Sequence, residues 1–198
     1  MVAIKYYRFK FLLALISKDN NIHLTGYHAT KSEYSEKILD TKDFKSSVSA
    51  RDWLGTGIYF WDEIYNAKWW AEIRYKNEKS VIIKSALECD NESFLDLDST
   101  EEILAYKKFT NNISDYIKQL PEDLQNTYLN LNFIDIKSVR CFYLNVYKLL
   151  FDIALIRRTF KAEGNRKDND GITLTRTQLC VTYGYQNQVI KDIGECNE

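Results

Sequence analysis

The chain has 198 residues, 45% of them hydrophobic and 28% charged, with a net charge of −1. That length suits one domain with a buried core, and so small a charge excludes a global field pulling the protein onto nucleic acid or membrane. Cys89, Cys141, Cys180 and Cys196 form no CxxC pair and sit beside no histidine cluster, which argues against zinc and for reduced thiols in a cytoplasmic setting.

Lys5, Arg8 and Lys10 precede a short apolar run at residues 11–16 that no small-x-small cleavage site follows. Residues 4–16 are therefore expected as a packed helix rather than a secretion leader. No run approaches the roughly 20 apolar residues of a membrane span. Hydrophobic spacing then predicts a strand at 24–28, a helix at 33–39, a strand at 57–60 and a helix at 64–75, with Ala67, Trp70 and Ala71 on one stripe of the last. Residues 80–87 alternate and are β-branched enough for a strand. Ser99 with Glu102 forms a capping-box signal for a helix running to Asn111-Asn112. A second helical stretch reaches Gln119 ahead of Pro121, and residues 139–151 read as another helix. Strands follow at 155–160, 174–183 and 189–193, with a charged loop at 162–171. Short strands with interspersed helices make this an α+β fold. It reads as a single domain over 1–198, with a helical insertion at about 99–151 packed on one side of the sheet.

Three segments carry the chemistry. Tyr27-His28-Ala29-Thr30 closes the first expected strand, and Gly55-Thr56-Gly57-Ile58-Tyr59-Phe60 opens the second. Two glycines running into an aromatic strand bring backbone where a ligand comes close. Trp70 follows Tyr59 by eleven residues, so the two can hold aromatic faces around a flat ring, with small Ala67 giving it room. Trp69 is turned about 100° around the same helix and is expected to pack elsewhere. The third segment is Arg176-Thr177-Gln178-Leu179-Cys180-Val181.

In this order the segments resemble the ADP-ribosyltransferases of the diphtheria-toxin and poly-ADP-ribose-polymerase branch, over roughly residues 24–193. That branch carries His-Gly-Ser/Thr, then Gly-x-Gly-x-Tyr-Phe with an aromatic eleven residues on, then Glu-x-x-Val. The resemblance implies a split β-sheet core and NAD+ as co-substrate, with no metal. It implies that His28 bonds a ribose hydroxyl on the adenosine side, that the backbone at Ala29 pairs with the nicotinamide amide, that Thr30 belongs to the cofactor-binding set, and that Gly57, Tyr59, Ala67 and Trp70 surround the ring. Two departures matter. Ala29 replaces a glycine, which narrows the clearance for the ring. Gln178 replaces the glutamate, keeping hydrogen bonds to the ribose but losing the negative charge. His28, Tyr59 and Gln178 then stand as the catalytic set. Single transfer of ADP-ribose replaces polymer elongation. Glu163 and Arg176 are candidates for contact with the acceptor, Glu163 also for the missing charge. The implied partners are a macromolecular acceptor, protein or nucleic acid, and an antitoxin or inhibitor protein if the chain is a toxin or effector of bacterial or phage type. RNA 2′-phosphotransferases share the fold, but Arg51 and Arg74 do not sit where their basic pattern needs them. The other reading is a catalytically weak NAD- or ADP-ribose-binding regulatory module.

Overall fold

In the computed structural model, which describes residues 21–133, 135–162 and 173–196, the alternating segment Asn21–Lys31 forms a long strand, β1. Helix α1 (Ser32–Thr41) follows directly and stops at Lys42, which takes up a left-handed φ of 56°. Strand β2 (Gly57–Trp61), helix α2 (Ile64–Arg74) and strand β3 (Ser80–Asp90) come next. A three-residue strand, β4 (Phe94–Asp96), leads into the helices α3 (Thr100–Asn111), α4 (Ile113–Ile117), α5 (Glu122–Leu129) and α6 (Ile136–Phe151). The chain closes with β5 (Leu155–Lys161), β6 (Thr175–Thr182), the single turn α7 (Gln186–Val189) and β7 (Ile190–Glu195).

The fold is α+β, and the described strands make one mixed seven-stranded sheet in the order β4-β5-β6-β2-β1-β3-β7. All neighbours pair antiparallel except β4 with β5. β1 pairs β3 along its whole length, from Asn21 opposite Asp90 to Lys31 opposite Ser80. β1 meets β2 at one pair, Tyr27 opposite Trp61. The sheet is therefore two well-laddered portions joined by a short seam.

Period-two alternation assigns side chains to its faces. Ile58, Phe60, Leu155, Leu179 and Val181 pack on one face with Ile38 of α1. Cys180 and Ile156 point the other way and join Phe109, Ile113, Leu144 and Tyr147 of the insertion helices. Helix α2 covers the β1 portion with Ala67 and Ala71 against Ala29, Trp61 and Ile82. The insertion and α2 thus stand on either side of the seam.

The insertion packs against one face, as its apolar spacing predicts, but it holds a helix more than the sequence shows. α5 starts straight after Pro121, whose missing N–H costs nothing at a helix start. Ser99 does sit at the N-cap of α3, yet its hydroxyl makes no capping bond. The capping chemistry appears instead at α6, where Asp135 accepts from the N–H groups of Lys137 and Ser138. That cap moves the helix start three residues ahead of the expected Val139. β4 and α7 were not legible, being too short for a period to show. The expected helix at 4–16 and most of the charged loop at 162–171 lie outside the described residues.

Candidate active site

A cleft of about 390 Å³ opens at the seam, lined on one side by His28, Ala29, Trp61, Trp69, Trp70 and Tyr75. Lys45, Ser47, Arg51, Asp52, Trp53, Tyr59 and Gln178 complete it. The volume falls in the range of small-molecule sites, and an aromatic lining with few polar groups is their usual character.

The seam has a specific cause. Continuing the register of Tyr27 and Trp61, the next rung would join Ala29 to Tyr59. Instead, Nδ1 of His28 lies 2.8 Å from the Tyr59 carbonyl oxygen. The imidazole takes the acceptor that the Ala29 N–H would otherwise use. A carbonyl only accepts, so Nδ1 carries the proton in this bond and Nε2 is left as the acceptor. The ring is held edge-on to Phe44 at 5.2 Å and tilted against Phe60 at 5.6 Å. Burial lowers its pKa, opposed in part by the Tyr59 carbonyl, so the neutral ring prevails at neutral pH.

The wedge leaves the Ala29 peptide groups facing the cleft. Ile82, opposite Ala29, accepts from the Cys196 N–H at 2.9 Å, so its polar groups turn towards β7. Ala29 and Ile82 are therefore a pair without mutual hydrogen bonds, and the Ala29 N–H and C=O point towards β2. The Tyr75 hydroxyl donates to that carbonyl at 3.4 Å.

Tyr59 supplies a ring to the cleft, but its hydroxyl is fully engaged. It donates to Gly55 O at 2.7 Å and accepts from the Leu54 N–H at 2.8 Å. Burial pushes its pKa far up, so the hydroxyl fastens the loop and is no acid or base. The glycine pair serves packing. Gly55 has φ +78°, and a Cβ there would meet Asn145 Oδ1 at 2.4 Å. At Gly57 a Cβ would meet the Val181 carbonyl at 2.3 Å. These glycines permit the close approach of α6 and β6.

Two α6 residues that sequence reading missed hold this loop. Asn145 accepts from the Thr56 N–H at 2.8 Å and donates to its hydroxyl at 3.2 Å. Lys148, 4% exposed, donates to Thr56 O at 2.9 Å and to Cys180 Sγ at 3.6 Å. The signal was faint: polar residues at 145 and 148 interrupt an otherwise apolar helix face.

The tryptophans depart from expectation. Trp70 is 38% exposed at the cleft, with its ring centroid 6.2 Å from that of Trp61. Trp69, expected to pack elsewhere, lines the same cleft and stands edge-on to Trp61 at 5.9 Å. The guanidinium of Arg176 lies 3.7 Å from its ring centroid in cation–π contact. Ala67 is wholly buried beneath the cleft and Thr30 is buried on β1. Gln178 lies opposite Trp61 in the ladder and lines the cleft. Its Oε1, Asp52 Oδ2 and Arg176 Nε are buried without a hydrogen-bond partner among the described residues. Glu163 lies outside them. Among the described residues no cluster of His, Cys, Asp and Glu could hold a metal, and no helix is long and apolar enough to cross a membrane.

No protein-family model matches the chain, and no solved structure matches it. An uncharacterized protein of Methanocaldococcus jannaschii is 32% identical over 90 residues, which cover 43% of this chain and 42% of that protein. The match spans less than half the relative's length, and its name states no activity.

Proposed function

We propose that the protein is a mono-ADP-ribosyltransferase that cleaves NAD+ at the seam and passes ADP-ribose to a macromolecular acceptor. The observation that carries this reading is the His28 wedge beside the Ala29 peptide groups, which point towards β2 and away from β3. A primary amide on an aromatic ring, such as nicotinamide, offers a donor and an acceptor complementary to a peptide N–H and C=O. The rings of Tyr59, Trp61, Trp69 and Trp70 suit its faces. Nε2 of neutral His28 can accept from a ribose hydroxyl, and the Gln178 amide, with Oε1 unpartnered, can hold the sugar. Thr30 and Ala67 shape the wall from behind, and Gly57 fixes where β2 begins. A split-sheet core of the ADP-ribosyltransferase type accounts for the single β1–β2 pair. On this reading the chain works as a cytoplasmic toxin or effector on protein or nucleic acid, with an inhibitor protein as partner.

The test is direct. The protein is incubated with NAD+ and cell extract, and free nicotinamide is measured. Steady release, with label from NAD+ appearing on a protease- or nuclease-sensitive acceptor, supports transfer. Binding without release favours the second reading, a regulatory module that binds NAD or ADP-ribose. The Gln178 amide in place of a carboxylate and the committed Tyr59 hydroxyl are what speak for that reading.

A further inference from the structure

We propose that Asp52 is the carboxylate that stabilises positive charge on the ribose as nicotinamide departs, the task an amide at position 178 cannot perform. The inference rests on the proposed NAD+ cleavage. In that step the bond between the ribose C1′ and the ring nitrogen breaks, and both electrons stay with neutral nicotinamide. The sugar becomes an oxocarbenium cation. Water or an acceptor hydroxyl then gives C1′ a lone pair and releases its proton to solvent. A fixed negative charge near C1′ favours the transition state over bound substrate, because the sugar's charge exists only there.

Among the described cleft-lining residues Asp52 is the one carboxylate. Oδ1 accepts from the Ser47 hydroxyl at 2.9 Å, which fixes the group. Oδ2 is buried and finds no hydrogen-bond partner among the described residues. Two neighbouring cations are directed elsewhere: Arg51 pairs with Asp135 at 2.9 Å and Lys148 donates to Thr56 O at 2.9 Å. Lys45 lines the same cleft. Burial is the main cause that raises the Tyr59 hydroxyl and the Cys141 and Cys180 thiols, and the Asp52 charge adds to it. A cation forming in the cleft would meet a carboxylate oxygen that no other group engages among the described residues.

Asp52→Asn keeps an Oδ1 acceptor for Ser47 while removing the charge and putting an NH2 donor in place of Oδ2. Nicotinamide release at saturating NAD+ should fall about 100-fold, as when one transition-state contact is lost. NAD+ affinity, read by tryptophan quenching, should change by no more than about threefold, because the contact belongs to the transition state. Adding Gln178→Glu to Asp52→Asn should recover at least about tenfold of the rate by restoring a charge at the sugar. Ser47→Ala, which keeps the charge and loses the tether, should fall less than Asp52→Asn. Wild-type release matched by Asp52→Asn overturns this assignment alone. A loss confined to affinity, or a Ser47→Ala loss as deep as that of Asp52→Asn, overturns it too. No release from wild type overturns the proposed reaction and this assignment with it.

Discussion

The two edges of β1 differ as sharply as two edges of one strand can. Towards β3 it is laddered from Asn21 to Lys31; towards β2 it is held at Tyr27 alone. The β3 side satisfies its peptide groups by pairing, and its stability is that of ordinary sheet. On the β2 side a histidine occupies a backbone acceptor, and the Ala29 carbonyl accepts from the Tyr75 hydroxyl rather than from a strand. Peptide groups need partners wherever they are closed off from water, so under the proposed function this is the edge that receives the ligand. The β2–β6 junction belongs with the β3 side: Gly57 to Trp61 pair with Thr182 to Gln178 without interruption.

The comparison breaks most visibly at Gly57. A Cβ there meets the Val181 backbone at 2.3 Å, so Gly57→Val should destabilise the fold by about 3 kcal/mol, read as a lowered urea midpoint. Unchanged stability would mean that the closed junction is less tight than its geometry. At the seam the effect should fall on function. His28→Ala should lower nicotinamide release about 100-fold, a loss expected from misplacing substrate. Stability should fall by about 2 kcal/mol, for the lost hydrogen bond and the ring's packing on Phe44 and Phe60. A variant of full activity would reduce the wedge to packing.

The tryptophans sharpen the same contrast. Trp70→Ala should cost about 1–3 kcal/mol of NAD+ affinity, by analogy with base stacking on aromatics, and little stability. Trp69→Ala should lose affinity and also stability, because Arg176 is left buried without its ring. Equal urea midpoints for the two variants would show that the Arg176 contact is idle.

The smallest effect is one of pH. Burial holds the His28 pKa below its ordinary 6.5, so between those two values the unfolded chain binds the proton and the folded one does not. The stability from neutral His28 is full above about pH 6.5 and falls as pH drops towards the lowered folded value. His28→Gln should flatten that part of the acid slope relative to wild type. Parallel stability–pH curves would contradict the buried, neutral imidazole.

Most of this architecture was legible where side chains repeat with a period. The expected strands at 24–28 and 57–60 and the helix at 64–75 lie within a few residues of β1, β2 and α2, because each buries one face or stripe. The seam was not legible from spacing, since it depends on which acceptor an imidazole reaches. The glycine pair was legible as a close approach, but its packing against α6 and β6 was not, as nothing local marks which element comes near. Trp69 was misplaced because the cleft wraps around the exposed side of α2 and takes in two adjacent rings. Asn145 and Lys148 escaped notice because their partner Thr56 lies across the fold, and Asp52 because its tether to Ser47 carries no periodic signal. Arg176 was legible as a basic residue near the site, but not as one stacked on Trp69.

Under the proposed function the β1 edge at Ala29 binds the carboxamide of an NAD+-type ligand. A two-dimensional amide spectrum of protein labelled with nitrogen-15 at alanine and tryptophan, titrated with nicotinamide, tests this. A saturable downfield shift of the Ala29 amide is expected, with perturbed indole signals of Trp61, Trp69 and Trp70, while Ala86, on the paired length of β3, stays still. Saturable binding that leaves Ala29 and these indoles unmoved would contradict it.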